Sequence, residues 1–274
     1  MNSFETIAVE SRDGVATITL NRPNVFNALN EALLLELRTA LDSAHSDDSV
    51  GAVVVAGTGK AFSAGQDLRG FREDAVEHPE TAVRQMLEER YIPVVKAISG
   101  MPKPLIAAVN GVAAGAGMSL ALAADLRIAA DSASFTLAFS RIALIPDAGA
   151  NYFLPRLVGL SRALELAWTA RRVSADEALA MGLVNQVVPA AELMDRAQEM
   201  AAALARGPRL ALSLTKQAMQ RGISAALEEV MELEAELQAR ASTSADFREG
   251  VQAFIEKREP QFGADRAAAS ATRE

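Results

Sequence analysis

Two stretches of the chain have the same physical form: residues 59–68 (G-K-A-F-S-A-G-Q-D-L) and 106–120 (I-A-A-V-N-G-V-A-A-G-A-G-M-S-L). In each, an apolar run that reads as a buried strand gives way to a loop of Gly and Ala. Side chains that small cannot hold a ligand away from the backbone. In the second stretch Gly115, Ala116 and Gly117 open an apolar helix over 118–124. The first N–H groups of a helix have no internal partner and carry the positive end of its dipole. Two such loops brought together would aim a pair of N–H groups at one oxygen, the arrangement that stabilises charge developing on a carbonyl. Spacing excludes the commoner Gly-rich loops. A phosphate cradle, G-x-x-x-x-G-K-S/T, fails at Val54 and at Ala61; a dinucleotide fingerprint, G-x-G-x-x-G, fails at Leu120. Tight strand-to-helix packing alone would also use these glycines, and spacing does not choose between the two roles.

Chemistry beside a pair of amides needs a group that moves protons, and the residue inventory narrows the choice. The chain has no cysteine and two histidines, His45 and His78, both in polar surroundings. A thiol nucleophile, a disulfide framework and a His-built metal site therefore drop out, which also fits a reducing compartment. Carboxylates remain. Asp147, in A-L-I-P-D-A-G, is the best placed: it follows an apolar run and a proline and heads a helix over 148–158. Burial would raise its pKa and helix N-terminal donors would lower it, and the sequence does not weigh one against the other. The plain alternative is that Asp147 caps the helix. Asp67 and Asp125 have ordinary roles open to them, fixing a loop and opening a strand.

With 274 residues, half of them hydrophobic and 23% charged, the chain has the composition of a globular protein with a sizeable core. A net charge of −8 argues against a nucleic-acid partner. The first ten residues lack the features of a secretion signal and no apolar run has the length of a membrane span, so the expectation is a cytoplasmic protein with no membrane partner. Residues 7–9 and 15–20 alternate around Arg12-Asp13-Gly14 as a hairpin, and Asn30 caps a helix that buries Leu33, Leu37, Ala40, Leu41 and Ala44. Strands are expected at 50–56, 105–109, 125–129, 135–139 and 183–188, and a helix over 91–99. The charged segment 69–90 reads as a loop leading into a helix, a place for a mobile lid. Ser174 heads a capping box. Beyond a composition shift near residue 190 helices follow at 192–205, 208–221, 224–240 and 245–257, then a polar tail expected to be disordered. Two regions result: a mixed α/β core, 1–190, and a helical region, 191–274.

A-F-S-A-G-Q-D-L at 61–68, N-G-V-A-A-G-A-G at 110–117 and A-D-L-R-I-A-A-D-S-A-x-F at 124–135 together resemble the enoyl-CoA hydratase/isomerase (crotonase) superfamily. So do P-R-L-V-G at 155–159, A-x-x-x-G-L-V-N-x-V-V at 178–188 and F-R-E-G-V-Q-A-F-I-E-K-R near the C-terminus. The resemblance implies an α/β fold, a crotonase-like spiral of ββα units. A helical trimerisation region would follow it and build a homotrimer or a dimer of trimers. It also implies an acyl-CoA thioester substrate and no metal or redox cofactor. Carried over residue by residue, the two oxyanion N–H donors fall on Gln66 and Ala116. The CoA contacts fall on Phe26, Ala28, Ala64, Asp67 and Leu68, and Phe254 and Lys257 match residues that in relatives reach a neighbouring subunit's CoA. The two catalytic glutamates of the hydratases correspond to Ser119 and Phe139, neither acidic. Asp147 instead matches the single aspartate of the Asp-based isomerases, among them the ring-1,2-epoxyphenylacetyl-CoA isomerases of phenylacetate catabolism. One departure is A-G-A-N at 148–151, where those relatives show Gly-Gly. The expected activity is therefore acyl-CoA isomerisation, by double-bond shift or ring-epoxide rearrangement. A hydratase with displaced acids and a catalytically silent acyl-CoA-binding protein are the alternatives. Met118, Phe139 and Tyr152 are candidates for the acyl pocket.

Overall fold

The alternation on either side of Asp13-Gly14 folds as the hairpin it suggests. In the computed structural model, which describes residues 4–70 and 79–263, β1 (Ile7–Arg12) pairs antiparallel with β2 (Val15–Leu20), and Asp13 and Gly14 take φ of 52° and 75°. Asn30 accepts a hydrogen bond from the Leu33 amide at 3.0 Å and starts α1 (Glu31–Ser46), whose apolar stripe is buried on β1 and β2. Cutting Leu37 of that stripe to Ala is expected to destabilise the fold by about 2–5 kcal/mol. β3 (Ala52–Gly57) and β5 (Leu105–Val109) read as unbroken apolar runs because each is a parallel strand covered on both faces. With β7 (Leu126–Ala130) and β10 (Gln186–Val188) they complete a six-stranded sheet ordered β1-β2-β3-β5-β7-β10.

A second sheet runs alongside, ordered β4 (Ala61–Ser63), β6 (Val112–Ala114), β8 (Ser134–Thr136), β9 (Val173–Ser174). Of these short strands, β4 and β6 fall inside the stretches that the sequence presents as Gly/Ala loops. Each turn of the chain lays one strand in the large sheet and the next in the small one, β3 then β4, β5 then β6, β7 then β8. This is the ββα spiral of the crotonase fold. It fixes the site, because β4 and β6 are parallel neighbours in register, with Ala61 opposite Val112 and Ser63 opposite Ala113. Whatever follows β4 therefore emerges beside whatever follows β6.

The helices are α2 (Pro79–Met86), a π-helical turn at Leu87–Tyr91 running into α3 (Ile92–Ser99), α4 (Ala116–Ala123), α5 (Ala150–Val158), α6 (Leu160–Thr169) and α7 (Ala175–Ala180). Then come α8 (Leu193–Arg206), α9 (Arg209–Gly222), α10 (Leu227–Ser242) and α11 (Ala245–Glu256). α8 lies across β2, β3, β5 and β7 and buries Leu193, Ala197 and Ala201 in the core. The three later helices keep Met231, Phe247, Val251, Phe254 and Ile255 exposed. Arg127 enters the core almost completely buried and donates to the carbonyls of Leu183 and Ala124 at 2.8 and 2.7 Å, tying β7 to its neighbours. Lys216 on α9 is paired with Asp125 at 2.7 Å.

Several expectations need correction. Residues 138–142 form a 3-10 turn rather than strand, since Phe139 turns into the core there. The helix placed over 148–158 begins only at Ala150, because Ala148 and Gly149 are left-handed, with φ of 48° and 84°. Helix α6 was not expected; Gly159, with φ of 83°, breaks what would otherwise be one helix from α5. Of the segment offered as a lid, residues 71–78 lie outside the described residues, as does the tail from residue 264. Among the described residues no helix is long and apolar enough to cross a membrane.

Candidate active site

The loop after β4 is held by a segment that precedes α1. Asn27, fully buried, donates from Nδ2 to the carbonyls of Thr58 (2.9 Å) and Ala61 (2.8 Å), while its own carbonyl accepts from Ser63 Oγ at 2.8 Å. Residues 26–29 then run parallel to 64–67. The Ala64 amide donates to Phe26 O at 2.9 Å, Leu29 to Gly65 O at 2.7 Å and Asp67 to Leu29 O at 2.9 Å. In a parallel bridge of this kind the residue in the middle, here Gln66, turns its own N–H to the opposite side. That N–H has no acceptor among the described residues.

The loop after β6 presents the partner group. Gly115 donates to Thr136 O at 2.9 Å and stands at the head of α4, so the first helical amide, that of Ala116, is left without an acceptor among the described residues. Two glycines allow the loops to meet. A Cβ on Gly65 would lie 2.7 Å from Ala114 O and 3.3 Å from Ala116 N; one on Gly117 would lie 2.5 Å from Ser63 O. Glycine is required at both by close approach, and the tight packing it permits is what sets the two loops side by side. Two amides presented in this way can donate to one carbonyl oxygen.

Asp147 lies on the turn before α5, and it is not an N-cap. The cap is Gly149, no side chain caps the helix, and no local N–H donates to the Asp147 carboxylate. Oδ1 is buried with no hydrogen-bond partner. Of the two opposed influences on its acidity, only burial operates, and it pushes the carboxyl up to about 6. The turn is held from outside: Asn151 Nδ2 donates back to Pro146 O, and the Ala150 amide donates to Asp147 O at 3.0 Å. At the departure from Gly-Gly, Ala150 starts the helix without a positive φ and its methyl is buried in the core.

Tyr91 joins the two parts of the site and was not singled out from the sequence. It ends the π-helical turn, is 1% exposed, and donates from its hydroxyl to Gln66 Oε1. Burial, and then the charge of Asp147, push its phenol far above the usual tyrosine range. A π-helical turn frequently marks a functional site, but a single tyrosine in a charged stretch gives no sequence signal for one.

The remaining candidates separate into two places. Phe26, Ala28, Ala64, Asp67 and Leu68 line the paired strip beside Gln66; Phe26, Ala64 and Leu68 are exposed there and Ala28 is buried. Asp67 is bound by Arg22 at 3.1 Å and Arg69 at 3.4 Å. Burial would raise this carboxyl, but the Arg22 bond, the Arg69 amide and both guanidinium charges outweigh it and hold it below the usual range. Phe254, 85% exposed, and Lys257 belong to the far helical region: Phe254 lies on α11, which packs on α10, and Lys257 is its C-cap. Within one chain they are not brought to the loops. Ser119 is buried and donates to Gly115 O at 3.3 Å. Met118 and Phe139 are buried in the core, and Tyr152 is half exposed with the Arg156 guanidinium 3.6 Å above its ring.

Comparison with known proteins agrees with this architecture. A family model described as enoyl-CoA hydratase/isomerase matches residues 10–265. A Rhodobacter capsulatus protein named a probable enoyl-CoA hydratase is 47% identical over 260 residues, 95% of this chain and 98% of the relative. The 1,2-epoxyphenylacetyl-CoA isomerase of Escherichia coli is 42% identical over 259 residues, covering 94% of this chain and 98% of the relative. A crystal structure from Mycobacterium abscessus, provisionally described as an enoyl-CoA hydratase/isomerase, superposes with a TM-score of 0.90 at 39% identity, covering 94% of this chain and 99% of that one.

Proposed function

Since the chain belongs to the enoyl-CoA hydratase/isomerase family, whose enzymes act on acyl-CoA thioesters, we propose that it is an acyl-CoA isomerase with Asp147 as its single proton carrier. The observation that carries this reading is the Asp147 carboxylate, partly buried with no donor to stabilise its charge and near enough to act on the Tyr91 phenol that bonds Gln66. The thioester oxygen accepts from the N–H groups of Gln66 and Ala116. As Asp147 removes a proton from the substrate carbon, the C–H electron pair moves into the conjugated system and the negative charge collects on that oxygen. The carboxylic acid so formed returns the proton to a different carbon, and the double bond is displaced; on an aromatic epoxide the carboxyl, protonated before the substrate binds, donates to the ring oxygen as its C–O bond rearranges and then takes the proton back. One carboxylate suffices because it is base in the first half and acid in the second. Losing one donor from such a pair typically costs roughly 3 kcal/mol of transition-state stabilisation. The reaction as proposed uses no metal or redox cofactor, CoA being part of the substrate. Phe26, Ala28, Ala64, Asp67 and Leu68 are assigned to the CoA moiety, and Phe254 and Lys257 to the CoA of a neighbouring subunit in a trimer or a dimer of trimers.

The hydratase alternative is favoured by the name of the Rhodobacter capsulatus relative. Against it stand Ser119 and Phe139, which leave a syn hydration without its two acids. Loss of the enoyl absorbance on crotonyl-CoA reports hydration; its appearance from a 3-enoyl-CoA reports isomerisation. The second signal is expected, and Asp147→Asn is expected to abolish it while acyl-CoA binding stays measurable. Full turnover by Asp147→Asn would refute the assignment, and binding with no turnover of any thioester by the wild type would favour the silent acyl-CoA-binding alternative.

A further inference from the structure

The hydrogen bond between Tyr91 and Gln66 has no part in the proton transfer above, yet it occupies the one proton of a buried phenol close enough to feel the charge of the base. Backbone packing explains the proximity. Val95 follows Tyr91 by one helical turn, and a Cβ on Gly149 would stand 3.2 Å from Val95 Cγ1. The turn that carries Asp147 is therefore laid on the helix face that presents Tyr91, and the two groups interact electrostatically. A buried carboxylate beside a phenol ordinarily accepts its proton in a strong, charge-assisted bond. Asp147 Oδ1 accepts nothing. A hydroxyl has one proton to give, and the Gln66 side-chain carbonyl takes it.

We propose that Gln66 withholds the Tyr91 proton from Asp147, so that the two act as positioning residues which keep the base free of a donor. The inference rests on Asp147 being the base. Gln66 then has two separate duties, its main-chain N–H for the thioester oxygen and its side-chain carbonyl for Tyr91. The charged groups on the elements packed around the turn are engaged elsewhere or exposed. Arg90 is paired with Glu31 at 2.9 Å, Arg84 with Glu88 at 4.0 Å, and Gln85 bonds Glu89 at 3.0 Å. Asp67 lies between Arg22 and Arg69, Lys96 is exposed, Arg141 donates to Ala170 O at 2.7 Å and Arg156 covers Tyr152.

The test is the pH dependence of kcat/KM for the full chain carrying Gln66→Met, Tyr91→Phe or both. Methionine keeps the length of glutamine and the main-chain N–H but offers the phenol only a weak acceptor. In Gln66→Met the freed proton passes to Asp147, the anion is stabilised and the acid limb moves down by about one pH unit, a tenfold change in proton affinity. In Tyr91→Phe no donor exists, so the limb stays at or above its wild-type position, and the double variant follows Tyr91→Phe. An unmoved limb in Gln66→Met, or an equal downward move in Tyr91→Phe, overturns the proposal. Carbon NMR titration of the Asp147 carboxyl reads the same shift without turnover, and decides the matter where a variant is too slow to assay. Activity retained by Asp147→Asn would sink the isomerase reading while leaving that titration intact, so the two failures are separable.

Discussion

At the loop following β4 an aspartate is met by two guanidinium groups and a main-chain amide; at the turn before α5 another aspartate is met by no donor. Asp67 is held below the usual carboxylate range and Asp147 is pushed up to about 6. The difference follows from what each backbone must do. The first loop has to keep an amide in a fixed direction, so its carboxylate is used as a permanent anion to anchor Arg22. On the proposed mechanism the turn has to keep a carboxylate reactive, and the groups that would stabilise its charge are directed elsewhere: the helix amides by the left-handed pair Ala148-Gly149, the Tyr91 proton by Gln66. Stability is concentrated in one place and given up in the other, a division common where a site needs a strained or uncompensated group.

Among variants that keep Asp147, the largest expected effect comes from separating the two loops. Gly117→Ala places a methyl 2.5 Å from Ser63 O, so the Ala116 amide moves away from that of Gln66. Steady-state assays should show kcat/KM down by about 10²–10³-fold, as for loss of one oxyanion donor, with acyl-CoA still bound. Next is the acid limb of the wild type. A base with a carboxyl at about 6 should give a kcat/KM that falls roughly a hundredfold between pH 7 and pH 4, and a limb near pH 4 would mean that Asp147 is not kept free of donors.

Stability gives two smaller effects of opposite sign. Because folding raises the Asp147 pKa, the native state is relatively favoured below the unfolded value near 3.8 and loses that advantage as pH rises through about 6. Asp147→Asn should therefore unfold at higher denaturant than wild type at pH 8, by about 1–3 kcal/mol, and the gain should vanish near pH 3. Because folding lowers the Asp67 pKa, its contribution is present above the unfolded value and is lost as pH falls through the folded one. Asp67→Asn should be destabilised by about 1 kcal/mol at pH 7, with the deficit fading in acid. Equal signs for the two variants would erase the contrast.

Much of the frame was legible in the residues. Alternation around Asp13-Gly14, the Asn30 cap and its apolar stripe, and the unbroken runs of β3 and β5 each act through neighbours in sequence, and local physics decided them. The two Gly/Ala stretches pointed to paired amides, but the strands β4 and β6 inside them were too short to read, and the parallel register that brings the loops together is a property of the spiral. Asp147 was visible as a candidate; that it lacks every donor was not, because this depends on two left-handed residues and on a glutamine far earlier in the chain, Gln66. Tyr91 gave no signal, since its role arises only where a π-helical turn meets that glutamine.

The central claim is that Asp147 moves a proton on a carbon activated by the amides of Gln66 and Ala116. Proton NMR of a 3-enoyl-CoA thioester incubated with the protein in heavy water tests it directly. The account predicts deuterium entering the acyl chain as the double bond migrates, and neither exchange nor migration with Asp147→Asn, although that variant still binds the thioester. Exchange by Asp147→Asn at the wild-type rate would contradict it.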